Sequence, residues 1–269
     1  MGLFGGRNKR PKTKAEPKRE NQPWCGAVLL RYPQVDWEKV RKDLRVQWDL
    51  TFPQLEEEHL GHFTHEDMVI TCSMIAAPLP EEQVEAAANH LLWRGGAERV
   101  KEHQAYLRIE ASKGNDPVEQ GIFLVKLVSC LLQQPNAIGF LQYSTVFSPD
   151  YYQEVAVCMR QGGLPVPLWI YVELYHENGL MYGYTVGMRR FYKDEMEVVD
   201  STATPAEIYG FLFSMAERVI ARDERFEDGQ TLLLSDGQSL EIRRSRSRRG
   251  DGESLKFPYC SALPQDRNG

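Results

Sequence analysis

The period of apolar and polar positions changes several times along the chain, and each change predicts an element. Residues 25–31 (CGAVLLR) are almost uniformly apolar and read as a buried strand. Asp36 then stands as a helix N-cap, with Val35 and Val40 placed to staple the first turn and Trp37, Val40 and Leu44 on one face. Residues 53–66 show no period and predict a loop, whereas residues 68–75 are rich in β-branched and apolar types and predict a strand. Pro80 opens a helix with Val84, Ala87, Ala88, Leu91 and Leu92 on one face, stopped by Gly95-Gly96. A third strand is predicted over 106–111. Asp116-Pro117, with Glu119 at the third helical position, caps a helix that is apolar nearly all round and should be the most buried one. A fourth strand follows over 137–143, and Ser148-Pro149 starts a helix with Tyr152, Val155, Ala156 and Met159 inward.

After Gly162-Gly163 the style changes. Residues 168–175 alternate, Asn178-Gly179 is a strong hairpin-turn signal, residues 180–187 return as the partner strand, and 195–199 predict a third. Thr204-Pro205-Ala206-Glu207 is a capping box, behind which Ile208, Phe211, Leu212, Met215 and Val219 form a core stripe. Residues 231–234 and 240–244 flank Asp236-Gly237, a second hairpin signal. Residues 243–249 read as an exposed arginine-rich loop before a last strand at 255–259. The expected fold class is α+β: alternating strands and helices over 25–163, then an antiparallel sheet with one packed helix over 164–260. Strand order is constrained only by the right-handedness of parallel crossovers.

Charge divides the chain unevenly. Residues 1–24 carry seven basic and two acidic side chains, so this stretch is +5 and the remainder is −11 against a total of −6. With Pro11, Pro17 and Pro23 and few apolar residues, it predicts a disordered basic tail, and residues 261–269 a flexible C-terminus. The acidic body disfavours nucleic acid and suits a basic protein partner. No uncharged apolar run reaches the roughly 18 residues of a membrane helix, and the start of the chain lacks a signal-peptide core, so a cytoplasmic protein without a membrane span is expected. The five cysteines are odd in number, contain no C-x-x-C, and mostly sit among apolar neighbours, which predicts reduced, buried thiols.

The common catalytic signatures for nucleotide binding, serine hydrolysis and zinc proteolysis are absent. Two constellations remain. His59, His62 and His65, beside Glu56, Glu57, Glu58, Glu66 and Asp67, are the ligand types zinc or iron takes, although a polar surface loop is the plainer reading. Glu195 and Glu197 fall on one side of a predicted strand, where paired carboxylates do acid–base work. A solvent-facing sheet edge gives the same pattern and is preferred. His90 and His103 are lone and are expected to flank elements. The arginine run 243–249 lacks interleaved aromatics and is weak as a nucleic-acid motif. No cofactor is expected.

Trp169, Gly179, the run Tyr184-Thr185-Val186-Gly187-Met188, Phe191, Glu195-Met196-Glu197-Val198 and Asp228-Gly229-Gln230-Thr231 together resemble the bacterial domain of unknown function 4261 family, most specifically over 169–231. Upstream, Ala77-Pro78-Leu79-Pro80 and Trp93 are similar to longer members, while Tyr192 stands where the family pattern has Gly. The resemblance implies a bacterial, cytoplasmic α+β protein without an assigned activity, found among immunity-type and repeat proteins. The expected function is therefore a non-catalytic protein-binding module of inhibitor or immunity type. The alternative is a metal-dependent or carboxylate-based hydrolase sited near 59–67 or 195–197.

Overall fold

The most apolar run becomes strand β1 (Trp24–Leu30). In the computed structural model, which describes residues 23–52, 60–65, 67–90, 92–114, 116–235, 237–250 and 252–261, it joins α1 (Trp37–Trp48), β2 (Leu60–His65), β3 (Met68–Ile75), α2 (Glu81–Ala88), α3 (Gly96–Val100), β4 (Ala105–Lys113), α4 (Pro117–Leu131), β5 (Ala137–Gln142), β6 (Thr145–Phe147) and α5 (Pro149–Ala156). The six strands form one sheet in the order β2-β3-β4-β1-β5-β6, with every neighbouring pair antiparallel. Alternation along β1 sends Trp24, Val28 and Leu30 into a core shared with Val40, Leu44, Leu124 and Leu127 of α1 and α4. Ala27 and Leu29 meet Val84, Ala88 and Val100 of α2 and α3 in a smaller cluster. The predicted caps form: Asp36 accepts from the Lys39 N–H at 2.9 Å and Asp116 from the Val118 N–H at 2.8 Å. As expected, α4 is buried along almost its whole length.

The second half supplies α6 (Val166–Trp169), β7 (Tyr171–Glu177), β8 (Leu180–Val186), β9 (Met196–Ser201), α7 (Pro205–Ala221), β10 (Thr231–Leu233), β11 (Ser239–Glu241), β12 (Arg243–Arg246) and β13 (Glu253–Phe257). A five-stranded sheet runs β12-β13-β9-β8-β7, and β10-β11 is a separate two-stranded ribbon. The hairpin turns where predicted: Glu177 faces Leu180, with Asn178 at φ 51° and Gly179 at φ 81°. Such a turn needs left-handed backbone at both positions, which Asn and Gly tolerate. Thr204 and Glu207 close the capping box in both directions, and α7 lays its stripe on β7, β8 and β9. Trp24, Trp169, Phe191, Met196 and Leu212 belong to one continuous apolar core that reaches both sheets.

The α+β class stands, with several corrections. Residues 60–65, expected in a loop, form β2, an edge strand that takes its ladder from β3 alone and so needs no apolar alternation. The helix from Pro80 ends at Ala88, because a turn centred on His90 receives the Leu92 N–H at 3.2 Å, and Gly95-Gly96 opens α3 instead of closing α2. The fourth strand turns at Tyr143 (φ 55°) into the unpredicted β6. No parallel pair occurs in the first sheet, so the crossover constraint has nothing to act on. In the second sheet β13 pairs parallel to β9, which makes it mixed. Residues 166–169 form a helical turn before β7, and Arg243–Arg246 form β12. Trp24, which composition groups with the tail, is fully buried. The rest of the tail before Pro23 and the terminus beyond Ser261 lie outside the described residues. Among the described residues no helix is long and apolar enough to cross a membrane.

Candidate functional site

Trp169, Thr185, Gly187, Phe191 and Glu195 converge on a single helical turn, Met188–Phe191, at the junction of the two sheets. Glu195 lies just before β9 and is 4% exposed. Its carboxylate accepts from Thr185 Oγ1 at 2.8 Å, from the Gly187 N–H at 3.0 Å and from the Arg189 N–H at 3.3 Å. Burial pushes its pKa upward, and these donors, together with the Met188 N–H, oppose that shift. Thr185 Oγ1 in turn accepts from the Met196 N–H at 2.8 Å, so one hydroxyl ties β8, β9 and the carboxylate together. Gly187 has φ 120°, and a Cβ there would stand 2.5 Å from the Trp169 carbonyl oxygen. Only glycine fits both the backbone angle and the approach. Tyr192 closes the turn at φ 58°, left-handed backbone that glycine adopts more readily than tyrosine.

Glu197 takes a different set of donors from Glu195, although the sequence places the two on one strand side. The expected solvent-facing edge is overturned: β9 is interior, flanked by β8 and β13, and Glu197 is 2% exposed. Lys256, its register partner on β13, donates to Glu197 at 2.5 Å, Ser247 Oγ at 2.6 Å and the Arg248 N–H at 3.1 Å. Burial alone would raise its pKa, but the hydrogen bonds from Lys256, Ser247 and Ser254 prevail and hold it below the usual carboxylate value. The two carboxylates thus sit in separate, donor-filled environments.

The arginine run is folded back on its own molecule. Arg248 lies over the Tyr182 ring (5.0 Å) and Arg249 over Tyr175 (4.5 Å), two tyrosines stacked 5.0 Å apart. Arg249 pairs with Glu173, Arg244 with Asp194 at 2.9 Å and Arg243 with Glu241 at 2.7 Å. Asp228 accepts from the Arg244 N–H at 2.7 Å and Gly229 donates to the Ile242 carbonyl at 2.8 Å, while Thr231 opens β10 opposite Glu241. These motif positions fasten the small ribbon beside β12. Gly179 serves only the hairpin turn.

Of the histidine triplet, His59 lies outside the described residues, as does the side chain of His62, which stands opposite Thr71 in the sheet. The His65 ring stacks on Phe123 at 4.7 Å. Among the described residues no group of three or more His, Cys, Asp or Glu is placed to hold a metal ion. His90 and His103 flank elements as expected. His90 donates to the Val146 carbonyl at 2.9 Å, and burial lowers its pKa, while buried His103 accepts from the Leu79 N–H at 2.9 Å. His90 also lines a cleft of about 620 Å³ with Trp93, Tyr171 and Tyr209.

Arg190 was not singled out by sequence. It sits on the turn that Glu195 holds, is 8% exposed, and lies between the rings of Trp24 (4.5 Å) and Tyr143 (4.8 Å). The available signal was a pair of arginines, Arg189 and Arg190, between Gly187 and Phe191, of which the sequence does not say which is buried. Trp169 and Gly179 precede the matched segment reported next, whereas Thr185, Gly187, Phe191, Glu195, Glu197, Asp228, Gly229 and Thr231 fall inside it. No curated protein and no solved structure matches the chain. The segment holding the Glu195 turn, the Glu197 cluster and the folded-back arginines, residues 184–257, matches the family model described as Domain of unknown function (DUF4261).

Proposed function

We propose that this chain is a non-catalytic protein-binding module of inhibitor or immunity type, working in the bacterial cytoplasm on a basic protein partner. The observation that carries the reading is the saturation of Glu195 and Glu197: each spends its lone pairs on protein donors, so neither is left to take a proton from a substrate. The charge of −11 over residues 25–269 adds support, because an acidic body steers a basic partner in quickly and loosens its grip as salt rises.

Affinity capture of the tagged protein from its own cell lysate at low and moderate salt, followed by titration of the purified captured protein, tests this reading. The expected result is a basic partner whose affinity falls severalfold between the two salts. Failure to retain any partner at either salt overturns the reading. Stoichiometric zinc or iron in the purified protein, lost on His62→Ala, would replace it with the metal-dependent hydrolase.

A further inference from the structure

Strand β7 ends the second sheet, with β8 on one side and no strand of the described residues on the other. Its register with β8 is unbroken from Tyr171 opposite Val186 to Glu177 opposite Leu180. Across a two-residue turn with left-handed backbone at both positions, the closing pair exchanges both of its backbone hydrogen bonds. Glu177, Tyr175, Glu173 and Tyr171 therefore spend their N–H and C=O groups on β8. Val172, Leu174 and His176 turn theirs the other way, and no backbone group of the described residues pairs with them.

Other edges are treated differently. Val146 of β6 also points outward from its hairpin, and its carbonyl accepts from His90 at 2.9 Å. At the far end of the second sheet, Asp228 accepts from the Arg244 N–H of β12 at 2.7 Å. An open edge invites another strand, and proteins blunt such edges with proline, bulges or covering groups. β7 contains neither proline nor bulge.

The same strand borders the cleft of about 620 Å³, where Val172 and Leu174 stand with Leu92, Trp93 and Tyr209. Leu174 lies beside Gly183, Ile208 and Leu212, so its side chain is on the α7 side of the sheet. In an added strand every second side chain would stand on that side, over the cleft. The cleft falls within the roughly 300–1,000 Å³ of ligand sites, which is ample for one large side chain. A compact small molecule would fill it but leave the row of backbone groups on β7 unpaired. An extended peptide satisfies both.

We propose that the open edge of β7 takes an extended segment of a partner protein as an added strand, with an aromatic or bulky aliphatic residue of that segment in the cleft beside Trp93 and Tyr209. This rests on the protein-binding reading above and names its interface. Main-chain hydrogen bonds set the register, and the cleft selects the anchor residue.

Selection of a phage-displayed library of random linear peptides on the full chain, followed by titration of the enriched peptides in synthetic form, tests it. The enriched peptides are expected to share one large apolar residue and to bind His176→Ala as tightly as the parent, because that variant keeps the backbone N–H. His176→Pro deletes the outward N–H of an exposed residue without touching a bond to β8, and should raise the peptide Kd about tenfold at an unchanged melting temperature. Ala97→Phe, which narrows the cleft, should weaken binding as much, and carries the comparison alone should His176→Pro lower the melting temperature. Absence of enrichment, or a peptide Kd unchanged in both variants, would overturn the interface. Dimerisation of the parent in sedimentation, abolished by His176→Pro, would assign the edge to a second copy of this chain and overturn it as well. A partner captured from lysate that binds His176→Pro and Ala97→Phe as it binds the parent would overturn this interface while leaving the binding module standing.

Discussion

Glu197 shows how one side chain converts pH into stability. Its donors hold the folded-state pKa below the ordinary carboxylate value of about 4.3. A depressed pKa means that the stabilisation is fully present above the unfolded value and is lost as pH falls through the folded one. Glu197→Gln should therefore cost about 2 kcal/mol at pH 7, since Lys256 keeps its charge and loses its partner. The difference from the parent should shrink as pH drops below about 4. Urea unfolding of both proteins at pH 7 and at pH 3 checks this, and an equal gap at the two pH values would show that ionisation of Glu197 is irrelevant. Glu195 has the opposite sign: with its pKa raised, its contribution improves as acid neutralises it.

At the scale of elements, the Met188–Phe191 turn is held more by one carboxylate than by its own short ladder. A four-residue turn has little cooperative stability of its own. Glu195→Ala would leave the buried Gly187 N–H and the Thr185 hydroxyl without this acceptor and remove the Arg189 N–H bond, at an expected cost of about 3 kcal/mol. Glu195→Gln retains a carbonyl for those N–H groups and can donate to Thr185, so it should cost about 1 kcal/mol. Denaturant midpoints of the two variants separate the readings: a loss as large in Gln as in Ala would mean that negative charge, and not hydrogen-bond geometry, holds the turn.

Across the whole molecule, Trp24 is the bridge. It belongs to β1 of the first sheet, yet its ring lies edge-on to Trp169 (6.0 Å) and Phe191 (5.6 Å) from the second half. Because the core is continuous through these rings, heating should give a single calorimetric transition. Trp24→Ala should lower stability by about 4 kcal/mol through the cavity it leaves, and should shift signals from both sheets together. Two separate transitions in the parent would show that the halves fold independently.

What could be read from sequence is what short-range chemistry decides. The caps at Asp36, Asp116 and Thr204, the turn at Asn178-Gly179 and the uniformly buried α4 depend on neighbours within a few residues, and they stand as predicted. Strand β2 was illegible because an edge strand is made by the backbone of β3, not by its own pattern. The parallel pairing of β13 with β9 joins residues about 60 positions apart, and it alone moved Glu197 from a supposed open edge into a buried ion pair. The histidine triplet stands out by composition, whereas Arg190 sits beside Arg189 in a charged stretch and does not. Its place between Trp24 and Tyr143 exists only because tertiary packing brings β1, the turn after β5 and the Glu195 turn to one point, where a cation that any solvated loop would tolerate becomes a buried charge.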